Sequence, residues 1–197
     1  STGEHGFWGH GAATLPSNLH RAAHNIPMIM RQPGSSEAGM RSKLMVSNMD
    51  VFATILDHTG VAPNETALPS RSLIPVISGS DLSDWGADVV FSEQEETRVI
   101  RTPKWAFFKR FEGAPQKFED ELFDVEKDPG ETQNLAADPA FADIVSALSD
   151  QLAAFFATYS NAQADLWKGG QPIQHSERKQ YWRDTWGDDW QPVYAYD

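Results

Sequence analysis

Residues 121–135 read Glu-Leu-Phe-Asp-Val-Glu-Lys-Asp-Pro-Gly-Glu-Thr-Gln-Asn-Leu, and no other stretch of the chain carries as much structural information. Its first five residues, Glu121 to Val125, predict a β-strand. The Asp-Pro-Gly sequence that follows predicts a tight turn, because proline fixes φ and glycine accepts a left-handed corner. A long helix is expected beyond Asn134 and Leu135. The stretch therefore predicts a strand, an acidic turn and a helix in close succession.

The segment before this stretch predicts three more strands separated by gaps of turn length. The four expected strands cover residues 88–93, 98–102, 105–111 and 121–125. Consecutive strands with such short gaps favour an antiparallel meander. Downstream, Asp138 is expected to cap a helix that has Pro139 in its first turn. The apolar residues on one face of that helix suit a cover for a sheet: Phe141, Ile144, Val145, Leu148, Leu152, Phe155 and Tyr159.

The N-terminal part predicts a mixture of helices and an isolated strand. Residues 18–25 could form a short helix. Residues 26–31 are a short apolar run bounded by turn residues, which is typical of a buried strand in an α/β sheet. Residues 63–83 read as a loop. The fold class predicted for the whole chain is α/β, with an α+β portion formed by a four-stranded antiparallel sheet and its covering helix.

A well-bounded helix is predicted between residues 47 and 60. Ser47 and Asp50 form a pair that resembles a capping box, and Gly60 can end the helix in the left-handed conformation. An apolar stripe at helical spacing predicts the buried face of this helix: Met49, Phe52, Ala53 and Leu56.

Composition limits the classes of function. The 197 residues are 40% hydrophobic and include seven Trp and eleven Phe, enough for a substantial core. A net charge of −12 argues against a nucleic-acid partner. No apolar run of 18 residues and no signal sequence are found, so no membrane partner is expected and the localisation is left open. The chain has no cysteine, which excludes disulfides.

Several blocks of the sequence resemble the sulfatase family of the alkaline-phosphatase-like superfamily. The stretch at 121–135 resembles the family's C-terminal signature, and residues 98–105 (Arg-Val-Ile-Arg-Thr-Pro-Lys-Trp) and 46–79 resemble two further blocks. Residues 1–11, Ser-Thr-Gly-Glu-His-Gly-Phe-Trp-Gly-His-Gly, resemble a loop of the catalytic domain.

The resemblance covers about residues 1–160 and implies a division of the chain. Residues 1–85 would be the C-terminal part of the sulfatase catalytic α/β domain. Residues 86–160 would be the C-terminal subdomain of antiparallel sheet and helix, and residues 161–197 a Trp-rich tail outside the resemblance. The chain is thus expected to be a C-terminal portion of a sulfatase.

The resemblance also implies site residues. His10 falls at the position that contacts the sulfate, and there an imidazolium could stabilise developing negative charge or protonate the leaving group. His20 falls on the substrate rim, where the family usually has tyrosine. Thr2 falls beside the metal. Ser1 either occupies the position of a metal-binding Asp of the family or marks where the chain was cut or tagged. On residue type alone, a polar residue of a surface loop is the better interpretation of His10, and the Trp-Gly-His-Gly match reverses this in favour of a site role.

The parent enzyme implied by the resemblance hydrolyses sulfate esters with a formylglycine nucleophile and calcium. The nucleophile motif, Cys or Ser followed by x-Pro-x-Arg, does not occur here. Residues 67–71 (Ala-Leu-Pro-Ser-Arg) match it except for alanine at the nucleophile position, and the match is read as coincidence. The chain alone is therefore expected to be inactive and to assemble no calcium site, and no residue is assigned as a metal ligand.

Other interpretations remain open. A phosphodiesterase or phosphonate hydrolase of the same superfamily would have the same scaffold, with a phosphate or phosphonate ester in place of a small-molecule or glycan sulfate ester. A non-catalytic module could instead bind a partner or a glycan through the aromatic tail, or form an oligomer through exposed apolar surface. His20 and His24 have the spacing of two zinc ligands, and the acidic group at 93–96 could bind a cation, although surface roles fit both better.

Overall fold

The computed structural model describes residues 19–31, 39–62, 69–82, 85–86, 88–94, 96–113, 118–163 and 165–170. In chain order the elements are α1 (Arg21–His24), α2 (Met49–Thr59), α3 (Ile74–Ile77), β1 (Val90–Gln94), β2 (Thr97–Arg101), β3 (Trp105–Arg110), β4 (Glu121–Asp124) and α4 (Ala142–Tyr159). Short 3-10 helices lie at Pro139–Phe141 and Leu166–Lys168. The chain divides into two compact units, Ser1–Tyr159 and Ser160–Asp197.

The four strands form one antiparallel sheet in the order β1-β2-β3-β4, which confirms the predicted meander. Cross-strand partners share a face, so Ile100, Phe107 and Leu122 line one side of the sheet. Their sequence neighbours line the other side: Val99, Phe108 and Phe123. All six side chains are buried. Both faces of the sheet are therefore covered.

Helix α4 covers the first of these faces, as predicted. Its buried residues Leu148, Leu152 and Phe156 pack against Ile100, Phe107 and Leu122, which lie opposite them on the sheet. The Asp138 carboxylate accepts a hydrogen bond from the Ala140 amide at 2.9 Å, which confirms the predicted cap. By length and composition alone, Pro139–Tyr159 is also long and apolar enough to cross a membrane. Its buried residues Leu148, Leu152 and Phe156 contact the sheet.

Helix α2 has the predicted ends but a different buried face. The Ser47 amide donates to the Asp50 carboxylate at 2.8 Å, and Gly60 ends the helix at a φ of 68°. The buried residues are Asp50 and Thr54, whereas Phe52, on the predicted apolar stripe, is 54% exposed. The polar face is buried because Asp50 and Thr54 accept hydrogen bonds from the backbone amides of residues 71 and 73.

The strand predicted at residues 26–31 is wrong. Only an isolated bridge at Met28 interrupts an irregular segment, and Ile29 is 64% exposed. Strand residues need neighbouring strands to receive their backbone hydrogen bonds, and among the residues that the structure describes the four-stranded sheet does not extend to this segment. The predicted loop at 63–83 also contains the short helix α3.

Candidate functional site

The structure brings a buried carboxylate against the second face of the sheet. Glu131 is 2% exposed and accepts four hydrogen bonds from three other residues. The His20 Nδ1 and Arg21 amide donors lie 3.1 and 2.7 Å from its Oε2. Arg101 donates from Nη1 to Oε1 and from Nη2 to Oε2, the latter at 3.2 Å. We call His20, Arg21, Arg101 and Glu131 the Glu131 cluster.

The acidic turn of the opening stretch builds this cluster. Asp128 accepts hydrogen bonds from the amides of Thr132 and Gln133 at 2.7 and 2.8 Å, which closes the turn. Asn134 secures its far end by accepting a hydrogen bond from the Leu122 amide at 3.0 Å. Between these anchors Glu131 has a φ of 54°, a left-handed conformation that non-glycine residues rarely adopt. The turn thereby places an acidic side chain beneath the sheet.

Aromatic rings and a carbonyl group complete the surroundings. The His20 ring lies 4.7 Å from the Phe108 ring, centroid to centroid, and 5.7 Å from that of Phe123. The Arg101 guanidinium lies 5.3 Å from the Phe108 centroid and donates to the Leu19 carbonyl at 2.7 Å. Positive and negative charges are therefore paired in a largely apolar environment.

The surroundings act on the Glu131 pKa in opposite directions. Burial alone would raise it, because the carboxylate loses its hydration. Hydrogen bonds from His20 and Arg101, the positive charge of Arg101 and the Arg21 amide outweigh burial and lower the pKa from 4.5 to about 2. Glu131 is therefore an anion at neutral pH and stays one in mild acid.

This pKa predicts a specific acid sensitivity. Because the folded pKa is depressed, Glu131 contributes stability that is fully present above 4.5 and is lost as the pH falls towards about 2. Across this window the group adds at most about 1.4 kcal/mol per pH unit to the slope of the unfolding free energy. Urea unfolding at several pH values should show a steeper slope for the native chain than for Glu131→Gln. The exposed control Glu126→Gln should keep the native slope; equal slopes for all three proteins would contradict the assignment.

Only some of the site residues predicted from the sequence lie within the described part of the chain. His10, Thr2 and Ser1 lie outside the described residues, so the catalytic role of His10 stays a prediction. His20 is 3% exposed and its ring is held by Glu131 and Phe108. Its role in substrate binding also stays a prediction. Arg21 and His24, on the same turn, are exposed.

The zinc and cation interpretations gain no support from the described residues. His20 bonds to Glu131 rather than sharing a ligand set with His24, and Glu93 pairs with Arg98 Nε at 2.6 Å. In the described part of the chain no three metal-ligating side chains come together. The carboxylates of the described residues do not gather into a set that fits a calcium ion. Of the Trp-rich tail, residues 171–197 lie outside the described part.

Glu131 and Arg101 lie within the blocks that resemble the sulfatase family, but the sequence alone assigns neither a role. One sequence signal could have indicated a role for Glu131: a tight turn requires Pro and Gly but not the glutamate that follows them. An arginine at the end of an apolar strand was a second. Neither signal identifies its partner, because the two residues are 30 positions apart and meet only in the folded chain.

Comparison with known proteins identifies the family. Residues 3–158 match the sequence profile of the family described as N-sulphoglucosamine sulphohydrolase, C-terminal. Human N-acetylglucosamine-6-sulfatase is 35% identical over 78 residues, which cover 40% of this chain and 14% of that protein. The structure of a 2-O GAG sulfatase aligns with a TM-score of 0.65 and 26% identity, covering 79% of this chain and 35% of that one.

A second solved structure shows how widely the scaffold is shared. The phosphonate monoester hydrolase of Agrobacterium radiobacter aligns with a TM-score of 0.62 at 24% identity, over 78% of this chain and 34% of that chain, which shows the fold alone. The predicted fold class is confirmed, and the chain spans about a third or less of these proteins. The chain belongs to the family described as N-sulphoglucosamine sulphohydrolase, C-terminal, which confirms the predicted resemblance to the C-terminal portion of sulfatases.

Proposed function

We propose that the protein carrying this chain hydrolyses sulfate esters of sugars, and that this chain supplies its C-terminal subdomain and part of the substrate rim. The family match over residues 3–158 carries the proposal. The names of the sulfatases reported above refer to a sulfated amino sugar and to a glycosaminoglycan. These names favour a sulfated glycan or its fragments as the substrate.

The reaction adds water to a sulfate monoester and releases an alcohol and hydrogen sulfate. Negative charge develops on the nonbridging and leaving oxygens as the S–O bond breaks, so a cationic or proton-donating group beside them accelerates the reaction. We assign this role to His10 from its place in the Trp-Gly-His-Gly sequence. Calcium and a formylglycine nucleophile would come from parts of the enzyme outside the described residues.

A phosphonate or phosphate ester is the alternative substrate. The fold shared with a phosphonate monoester hydrolase favours this possibility. The chain is slightly more similar to the 2-O GAG sulfatase, however, at 26% identity against 24% for the phosphonate hydrolase. A binding module without catalysis remains the third possibility, through the Trp-rich tail or exposed apolar surface.

An assay of the full-length protein tests the proposal. We expect hydrolysis of a chromogenic aryl sulfate, and faster turnover of 2-O- or 6-O-sulfated amino sugar and uronate fragments. The matched aryl phosphonate and phosphate diester serve as competing substrates, and loss of activity in a chelator tests the metal. Higher kcat/KM for the phosphonate would favour the alternative, and no turnover of any ester would favour the binding module.

A further inference from the structure

We infer that Glu131 is a positioning residue of the proposed sulfatase: its carboxylate latches residues 19–25 onto the sheet and so fixes the substrate rim. This inference rests on the proposed function. It concerns residues 19–25, which begin nine positions after His10 and include α1.

The side-chain hydrogen bonds of Glu131 are made to residues outside its own turn. A carboxylate offers about four acceptor sites, and the hydrogen bonds from His20, Arg21 and Arg101 fill them. Two of these donors lie 110 or more positions earlier in the sequence. A glutamate that only closed the local turn would bond to neighbours, as Asp128 does. The arrangement serves to join distant segments.

The backbone of Glu131 is independent evidence for such a role. A φ of 54° costs a residue with a side chain about 1 kcal/mol or more. Such a conformation persists only where surrounding contacts over-determine it, and strained residues cluster at sites where geometry matters. Here the conformation directs the carboxylate beneath the sheet, where the cluster holds it.

The latch decides which side chains of the segment face solvent. Arg21 is tied through its backbone amide and His20 through its ring, and Arg101 also binds the Leu19 carbonyl. Backbone hydrogen bonds then fix α1: the His24 amide donates to the His20 carbonyl, and the Asn25 amide donates to the Arg21 carbonyl. The Arg21 side chain remains exposed, so one permanent positive charge is presented at the rim. The His24 side chain is also exposed, but loss of hydration and the nearby Arg101 charge lower its pKa, so it is offered as a neutral hydrogen-bonding group. A guanidinium at this position suits an anionic, sulfated sugar.

The test separates positioning from general stabilisation. Glu131→Gln keeps the side-chain shape and one acceptor oxygen, whereas Glu131→Ala removes every acceptor; Glu126→Gln is the exposed control. Hydrogen exchange of the full-length protein should accelerate at least about tenfold at the bonded amides of Arg21, His24 and Asn25 in Glu131→Ala, while the amides of β2 and β3 keep their native rates. Glu131→Gln should show a smaller acceleration at the same amides.

Kinetics of the full-length enzyme supply the second readout. A displaced rim weakens substrate binding, so Glu131→Gln should raise KM for a sulfated sugar by about tenfold, with a smaller change in kcat. If Glu131 only stabilised the fold, its replacement would lower the fraction of active enzyme, which reduces the apparent kcat and leaves KM unchanged. That result would overturn the inference. Native exchange rates at the amides of Arg21, His24 and Asn25 in Glu131→Ala would also overturn it. If the native enzyme hydrolyses no sulfate ester, the proposed function fails, and hydrogen exchange alone then decides whether the latch exists.

Discussion

Replacing His10 with alanine in the full-length protein is expected to lower kcat for sulfate-ester hydrolysis by about 10²–10⁴-fold, the range for a positioned acid–base group. The imidazole would act on charge that appears only in the transition state, so kcat should fall much more than KM rises. Initial rates over a range of substrate concentrations measure both constants. His58→Ala, at an exposed position near the end of α2, is the control and should keep native kinetics.

A series of aryl sulfates separates the two roles open to His10. If the imidazolium protonates the leaving oxygen, the loss in His10→Ala should be largest for poor leaving groups and small for nitrophenolate, which departs without a proton. If it stabilises charge on the nonbridging oxygens, the loss should be similar across the series. A kcat within about threefold of the native value for every substrate would instead make His10 a surface-loop residue.

The sheet and α4 could be predicted because their signals are local. Ile100 and Phe107 each alternate with neighbours on the opposite face, and short gaps permit only neighbouring antiparallel strands. The caps at Asp138 and Gly60 also depend on bonds within a few residues. Such features are fixed by the chain near each residue, so a single sequence is enough to find them.

The errors arose where distant contacts decide the structure. Asp50 is buried in α2 because the amide of Arg71, 21 positions away, donates to it, and this outweighs the apolar stripe on the other face. Residues 26–31 have strand-like composition, but a strand forms only beside a partner. For the same reason the partners of Glu131 could not be predicted, since periodicity carries no information about residues 110 positions apart.

The Arg101–Glu131 pair should be the most costly interaction to break in the described part of the chain. Arg101→Leu leaves the buried Glu131 carboxylate without its cation and the Leu19 carbonyl without its donor. Removing one member of a buried ion pair costs about 3–5 kcal/mol, because the remaining charge stays desolvated. We therefore expect the free energy of unfolding of the purified chain, measured by urea titration, to fall by that amount. Lys109→Met, which breaks a partly exposed pair with Asp120, should cost less than about 1 kcal/mol.

A double-mutant cycle shows whether the loss belongs to the pair. Arg101→Leu and Glu131→Leu should each be strongly destabilising, whereas the double variant buries no lone charge and should be more stable than the sum of the two losses predicts. The coupling energy should be about 1–3 kcal/mol. Additive losses would mean that Arg101 and Glu131 stabilise the fold through separate partners. Arg101 would then act through Leu19 and Phe108. Glu131 would act through His20 and Arg21. In that case the turn at 128–134 and β2 would contribute to the folded state independently, and the latch would consist of the bonds from His20 and Arg21 alone.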